Sequence, residues 1–303
     1  MFDKLMKLFG LIFFITALFL IKKEVAFIGV DAIKKALFSV SKTGIMSALF
    51  ITVLNYIILS GYDFCALIYG GKRLNYPLIL KESAVSFSLS NLTGHTYLSG
   101  FITRYLFLKP FGFLKRDVLS IVYFISIAVL LGLIFSFVLT ILLEILTESL
   151  KTYRYLSSLY LFAFVLIIGF WFYFKEIVQK KKRFLIGKVL LKSPSVSMTF
   201  IQIGIGFLDF LTCFLVFYVL LSDFIDVHFI PVFIAFTIAV VISYLSQVPG
   251  GLGVLESSFL LLYHHSPADK AFILSAFILF RLIYYVLPFL ISIPFLWALK
   301  KKK

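Results

Sequence analysis

Five ionisable side chains sit inside otherwise apolar stretches of this chain: Asp63, Arg104, Asp209, Glu256 and Arg281. An ionisable group at bilayer depth costs roughly 2.5 to 3.5 kcal/mol, so each must be paired, hydrated or used. Three acids and two bases nearly neutralise one another, as a polar cavity enclosed by lipid requires. Two chemistries are open for Arg104. Its planar guanidinium fork fits a lipid phosphate, and it fits equally well a salt bridge to Asp63 that acts as a strut. Glu256 divides in the same way, between a partner for a cationic head group or a proton carrier and a partner for Arg281. Asp209 reads as a site residue or as a polar residue satisfied within its own helix.

The elements that must position these groups follow from composition. With 303 residues, 62% hydrophobic and only 14% charged, the chain cannot form a soluble globule with a polar skin. Runs long enough to span a bilayer are Ile45 to Tyr69, Val118 to Leu143, Leu156 to Phe174, Val196 to Leu221 and Ala271 to Leu299. Leu8 to Ile21 follows Lys4 and Lys7 like a signal peptide but lacks a small-residue cleavage pattern, so it is expected to remain as a helix. The 38 phenylalanines are expected mostly to face lipid. Cys65 and Cys213 lie in apolar runs and read as packing residues.

The formal charge of +15 is distributed over short connectors, which points to the positive-inside rule and excludes a nucleic-acid-binding surface. Lys175 to Lys192, Lys109 to Asp117 and the Lys300 to Lys303 tail are basic and belong in the cytoplasm. Ser222 to His228, with Asp223 and Asp226, and the balanced Glu144 to Arg154 belong outside. Residues 22 to 42 are basic yet fall on the outer side, where Val30, Ile33, Leu37 and Val40 recur as the apolar face of a surface helix.

Two stretches are apolar but too broken for simple spans. Residues 77–108 contain Leu89-Ser90-Asn91-x-x-Gly94, and residues 229–263 contain Leu245-Ser246-Gln247-x-x-Gly250. The charge-derived topology makes the first enter and leave on the inside and the second on the outside. Opposed broken hairpins in two halves of a chain mark an inverted repeat whose tips meet near the midplane. Loop backbone at that depth is tolerated only where protein buries it or a watery cavity solvates it. Gly250, Gly251 and Gly253 are not a nucleotide loop, since no Gly-Lys-Ser/Thr follows; they open a helix near Leu252 whose free N–H groups suit an anion. His264, His265 and Asp269 lack a third spaced metal ligand, and His95 reads as a buried, satisfied histidine. No metal or cofactor is expected.

Phe87-Ser-Leu-Ser-Asn-x-x-Gly-His95, Leu98-Ser99-Gly100, Arg104-Tyr105, Val248-Pro-Gly-Gly-Leu-Gly-Val-x-Glu256 and Arg281-Leu-Ile-Tyr-Tyr-x-x-Pro288 resemble the lysylphosphatidylglycerol synthase transmembrane-region family, the flippase module of the bacterial multiple peptide resistance factor. The resemblance implies an all-α polytopic bundle of one domain, about six full spans plus two opposed hairpins, in a bacterial cytoplasmic membrane. It implies movement of an aminoacylated phosphatidylglycerol such as lysyl-phosphatidylglycerol from inner to outer leaflet, with no catalysis by this chain. A separately encoded lipid aminoacyltransferase would be its partner, since 303 residues leave no room for a synthetase domain. Positions matching the family are Asp63, Arg104, Glu256 and Arg281. With the hairpin-tip residues Asn91, Gln247, Gly250 and Gly251, they form the expected substrate site for a membrane phospholipid. A membrane-embedded enzyme, or a scaffold for a lipid-modifying enzyme, is the competing reading; against catalysis stands the lack of a nucleophile with a poised base.

Overall fold

The computed structural model describes residues 31, 38–93, 96–147, 156–180, 182–186, 189–246, 248–263, 266 and 269–301. Leu8 to Ile21, most of 22–42, Gly94, His95, Gln247, His264 and His265 lie outside the described residues. In chain order the helices are α1 (Lys42–Tyr69), α2 (Tyr76–Thr93), α3 (Thr96–Leu108), α4 (Lys115–Thr147), α5 (Leu156–Phe172), α6 (Val196–Ser222), α7 (Phe229–Ser246), α8 (Val254–Leu262), α9 (Asp269–Arg281) and α10 (Leu287–Lys301). A π-helical segment, Tyr173–Gln179, extends α5, and another, Leu282–Val286, joins α9 to α10. The chain is a polytopic helical membrane bundle. Within the basic connector after α5, β1 (Arg183–Ile186) pairs antiparallel with β2 (Val189–Lys192), a small hairpin that charge alone did not foretell.

Among the described residues, six helical stretches are long and apolar enough to cross a membrane: Lys42–Tyr69, Lys115–Thr147, Ser157–Gln179, Val196–Ser222, Phe229–Ser246 and Asp269–Phe295. This set differs from the expected one at α7, which is one arm of the second broken stretch and yet has the length of a span. Its other arm, α8, has nine residues. That is about 14 Å of helix, half of a hydrocarbon core of about 30 Å. α4 also runs further than expected, to Thr147, and buries Glu144 that was assigned to an outer connector.

Capping and cross-bundle contacts fix which ends share a face. Ser41 Oγ accepts from Gly44 N at 2.9 Å to start α1, and Ser195 Oγ accepts from Met198 N at 3.2 Å to start α6. The two helices run antiparallel. Ser41 N and Oγ donate to Asp223 beyond the end of α6, at 2.5 and 2.6 Å, while at the other end Tyr69 Oη donates to the Lys192 carbonyl. Lys72 Nζ meets Asp117 at 3.3 Å beside that second end, and the Phe224 and Phe272 rings pair at 6.1 Å beside the first. One end of the bundle therefore gathers Lys72, Arg116 and Lys192, and the other Asp223 and the start of α9. Asp117 joins the former, and Lys42 and Lys270 join the latter.

Close packing comes from small residues and rings. Gly132 of α4 and Gly206 of α6 bring their backbones together: a methyl on Gly206 would lie 2.5 Å from the Ala128 carbonyl and 2.7 Å from Gly132 Cα. A minority of the phenylalanines turn inward instead: Phe214, Phe217, Phe236, Phe259, Phe277 and Phe280 form a buried cluster, with Phe217 and Phe277 stacked at 4.2 Å. They weld α6, α7, α8 and α9 into one unit. Lipid-facing aromatics remain on the outer surfaces, as at Phe50, Phe164, Trp171 and Phe172.

Candidate functional site

The first broken stretch folds as the helix pair α2 and α3, and an ion cluster fastens it to α1. Arg104 of α3 presents its fork to Asp63 of α1, with Nε to Oδ1 at 2.8 Å and Nη2 to Oδ2 at 3.0 Å. Ser83 Oγ donates to Asp63 Oδ2 at 2.7 Å. Glu82 of α2 is the second acid, with Oε1 3.7 Å from Arg104 Nε and 2.7 Å from Ser86 Oγ. The guanidinium also covers the Phe87 ring at 4.7 Å. Asp63, Glu82 and Arg104 are at most 2% exposed, so two carboxylates share one guanidinium in a dry setting. Sequence reasoning missed Glu82. A findable signal existed: Glu82, Ser83, Ser86 and Ser90 recur at helical spacing as one polar face in an apolar stretch.

The second broken stretch folds as α7, a glycine turn and α8. Gly250, Gly251 and Gly253 have φ of 63°, 63° and 76°, a region where side chains with a Cβ are strained. A methyl on Gly251 would also overlap Ser243 Oγ. Arg281 at the end of α9 secures this turn: Nη1 donates to the Gly250 carbonyl at 2.9 Å, Nη2 to that of Gly251 at 3.3 Å, and Nε to Glu256 Oε1 at 2.6 Å. α8 begins at Val254, two residues later than expected, because Gly253 itself takes the left-handed cap. Each broken stretch is thus pinned by one arginine and at least one carboxylate. The pairings left open by the sequence, Arg104 with Asp63 and Glu256 with Arg281, are both present in this conformation.

The two tips meet. A methyl placed on Gly250 would sit 3.6 Å from the Leu92 carbonyl oxygen, beside Asn91. α10 braces the same place, where Leu89, Leu92 and Phe289 pack together and Ser88 Oγ donates to Ser292 Oγ at 2.9 Å. Residues 7–292 match the family described as the lysylphosphatidylglycerol synthase TM region. This chain belongs to that family. It is 28% identical over 285 residues to the uncharacterized protein slr0712 of Synechocystis sp., covering 92% of this chain and 86% of that protein. It is 24% identical over 295 residues to the inner membrane protein YbhN of Escherichia coli (strain K12), covering 95% and 90% respectively.

In this family member a third polar cluster lies between the two arginine pairs. Asp209 of α6 was expected either as a site residue or as one satisfied within its own helix, and its contacts in fact reach across helices. Asn55 Nδ2 of α1 donates to its Oδ1 at 2.9 Å and Tyr62 Oη to its Oδ2 at 3.1 Å. Tyr284 Oη of the π-helical segment donates to Asn55 Oδ1 at 3.1 Å. Tyr62 adjoins Asp63 in sequence, and Tyr284 lies one turn beyond Arg281. The local cause of the π segment is Pro288, which has no N–H for the Tyr284 carbonyl, so the helix widens just before it.

At the Lys-rich end of the bundle a cavity of about 380 Å³ opens between α1, α4 and the connector before α6. Lys72, Arg116 and Lys192 line it with Asp117, and its inner wall includes Ala66 and Leu67, a turn below Asp63 on α1. No group of three or more His, Cys, Asp and Glu suited to a metal occurs among the described residues. Of the expected site residues, the structure joins Asp63 to Arg104, joins Glu256, Gly250 and Gly251 to Arg281, and sets Asn91 at the meeting of the tips. Gln247 falls outside the described residues.

Proposed function

We propose that this protein moves a phospholipid from the inner to the outer leaflet of a bacterial inner membrane, with an aminoacylated phosphatidylglycerol such as lysyl-phosphatidylglycerol as its cargo. The observation that carries this reading is the contact between the two broken helix pairs at Leu92 and Gly250, each pinned by its own buried arginine and carboxylate. Non-helical backbone at membrane depth is costly unless it serves a polar path, and here two such breaks converge. Charge favours a cationic head group. Asp63, Glu82, Glu144, Asp209 and Glu256 outnumber Arg104 and Arg281 among the described helices, so with every group ionised the interior is short of three positive charges. A lysyl ester supplies cations to these acids, while its phosphate suits the Lys72, Arg116 and Lys192 cavity at the inner face. Membership of the lysylphosphatidylglycerol synthase TM-region family, and a relative named as an inner membrane protein, support the setting. A partner enzyme that charges the lipid would act upstream.

The test uses cells that make lysyl-phosphatidylglycerol, with and without this chain, and an amine reagent that cannot cross the membrane. The chain should raise the labelled fraction at constant total lipid. Glu256→Gln at unchanged abundance should remove most of that rise. Equal labelled fractions with and without the chain would refute the reading.

A further inference from the structure

Asp209 is a carboxylate within an apolar span that, unlike Asp63 and Glu256, faces no base. No Lys, Arg or His of the described residues lies within 4.0 Å of it. The titratable groups in electrostatic reach are Tyr56 and Tyr62 of α1, Cys213 of its own helix and Tyr284 of the π segment, all neutral at ordinary pH. No ionisable side chain of α4 or α7 and no base of α9 pairs with it. A fixed negative charge here has only neutral hydrogen bonds to hold it, from Asn55 and Tyr62.

The arrangement holds Asp209 both ionised and protonated, at the expense of the Tyr62 bond. With Asp209 ionised, Tyr62 Oη donates to Oδ2. With Oδ2 protonated, the new O–H donates to Tyr62 Oη, whose own hydrogen must then turn away from Asp209, and Asn55 Nδ2 keeps its bond to Oδ1. A metal cation fits worse. Asn55 turns its amide nitrogen, not its oxygen, toward Asp209 and toward Thr212 Oγ1 at 2.8 Å, and its oxygen accepts from Tyr284. We propose that Asp209 is a reversible proton-binding site that links the two pinned helix pairs through Tyr62 and Tyr284. Gain of a proton removes the charge that draws in Tyr62 and, through Asn55, Tyr284. The hydrogen bonds that tie α1 beside Asp63 and the π segment beside Arg281 to α6 therefore change with occupancy. A site so placed makes lipid movement responsive to a proton gradient.

The gradient response rests on the transport reading, whereas the proton site does not, so the experiment has two arms. Infrared difference spectra of the whole protein in lipid, recorded as pH is raised through neutrality, should show loss of a carboxylic-acid carbonyl band. That band should be absent from Asp209→Asn, which keeps the shape and the Asn55 contact, and present in Glu82→Gln, which removes the acid that shares Arg104 with Asp63. A titrating band unchanged in Asp209→Asn, or no band that Asp209→Asn removes, overturns the proposal. In vesicles, an imposed pH difference should change the rate of lipid movement by the native protein and not by Asp209→Asn. A response to Na⁺ at fixed pH in place of that pH response also overturns it. If no lipid moves under any condition while the Asp209 band is seen, the transport reading falls and the proton site stands.

Discussion

At the scale of single residues, the Asp63, Glu82 and Arg104 cluster sets the clearest expectation. Arg104→Gln leaves two buried carboxylates without their cation, a loss that costs about 3 to 5 kcal/mol when a buried pair is broken from one side. Thermal unfolding of the purified protein in detergent should show this as a large drop in the transition temperature. Adding Asp63→Asn and Glu82→Gln should recover much of it, because the orphaned charges are gone. Arg104→Lys should fall between, keeping charge while losing the fork that meets both Asp63 oxygens. A triple variant no better than Arg104→Gln alone would show that the cluster is not an electrostatic unit. Most of this cluster was legible, since Asp63 and Arg104 stand out against apolar neighbours. Glu82 was not, because charge at a segment entrance looks solvated until the helix carrying it is seen to lie inside.

Among the elements, α4 and α6 approach backbone to backbone, and Gly132 and Gly206 allow it. Gly206→Ala drives a methyl into the Ala128 carbonyl and the Gly132 backbone, neither of which is a flexible side-chain tip. Overpacking of this kind costs about 1 to 3 kcal/mol. Gly206→Val should be worse, whereas Gly204→Ala, with nothing within 4 Å, should leave the melting temperature unchanged. Equal stability of Gly204→Ala and Gly206→Ala would contradict the close approach. The positions of the spans and of both broken stretches followed from hydropathy and from the glycine and amide residues at their tips. Less could be read of α7, whose length satisfies both a span and a hairpin arm, or of the extension of α4 past Glu144. In each case the deciding factor is packing against a distant helix, which no local pattern encodes. The Pro288 kink was visible as a residue but not as a π segment that delivers Tyr284 to Asn55.

Over the whole molecule, the account requires the first helix pair to move relative to α10 during each cycle. Ser88 and Ser292 are buried with their hydroxyls 2.9 Å apart, close enough for cysteines to bridge them. Ser88→Cys with Ser292→Cys should stop lipid movement on oxidation and regain it on reduction, as read by outer-leaflet labelling. Unchanged movement with the bridge fully formed would mean that this contact is rigid throughout. That the Lys109–Asp117 and Lys175–Lys192 connectors would share an end opposite Asp223 was legible from charge, because connector charge is a property of sequence and needs no tertiary contact.

The central claim is that this chain itself carries a charged phospholipid across the bilayer, and purified protein in vesicles tests it without cellular partners. Fluorescent lysyl-phosphatidylglycerol is placed in both leaflets, and a quencher that cannot cross the membrane is added outside. The native protein should expose the protected inner pool to quenching, and Glu256→Gln, folded and inserted to the same extent, should leave that pool protected. A pool that stays as protected with the native protein as in protein-free vesicles, under every imposed pH difference, would contradict the account.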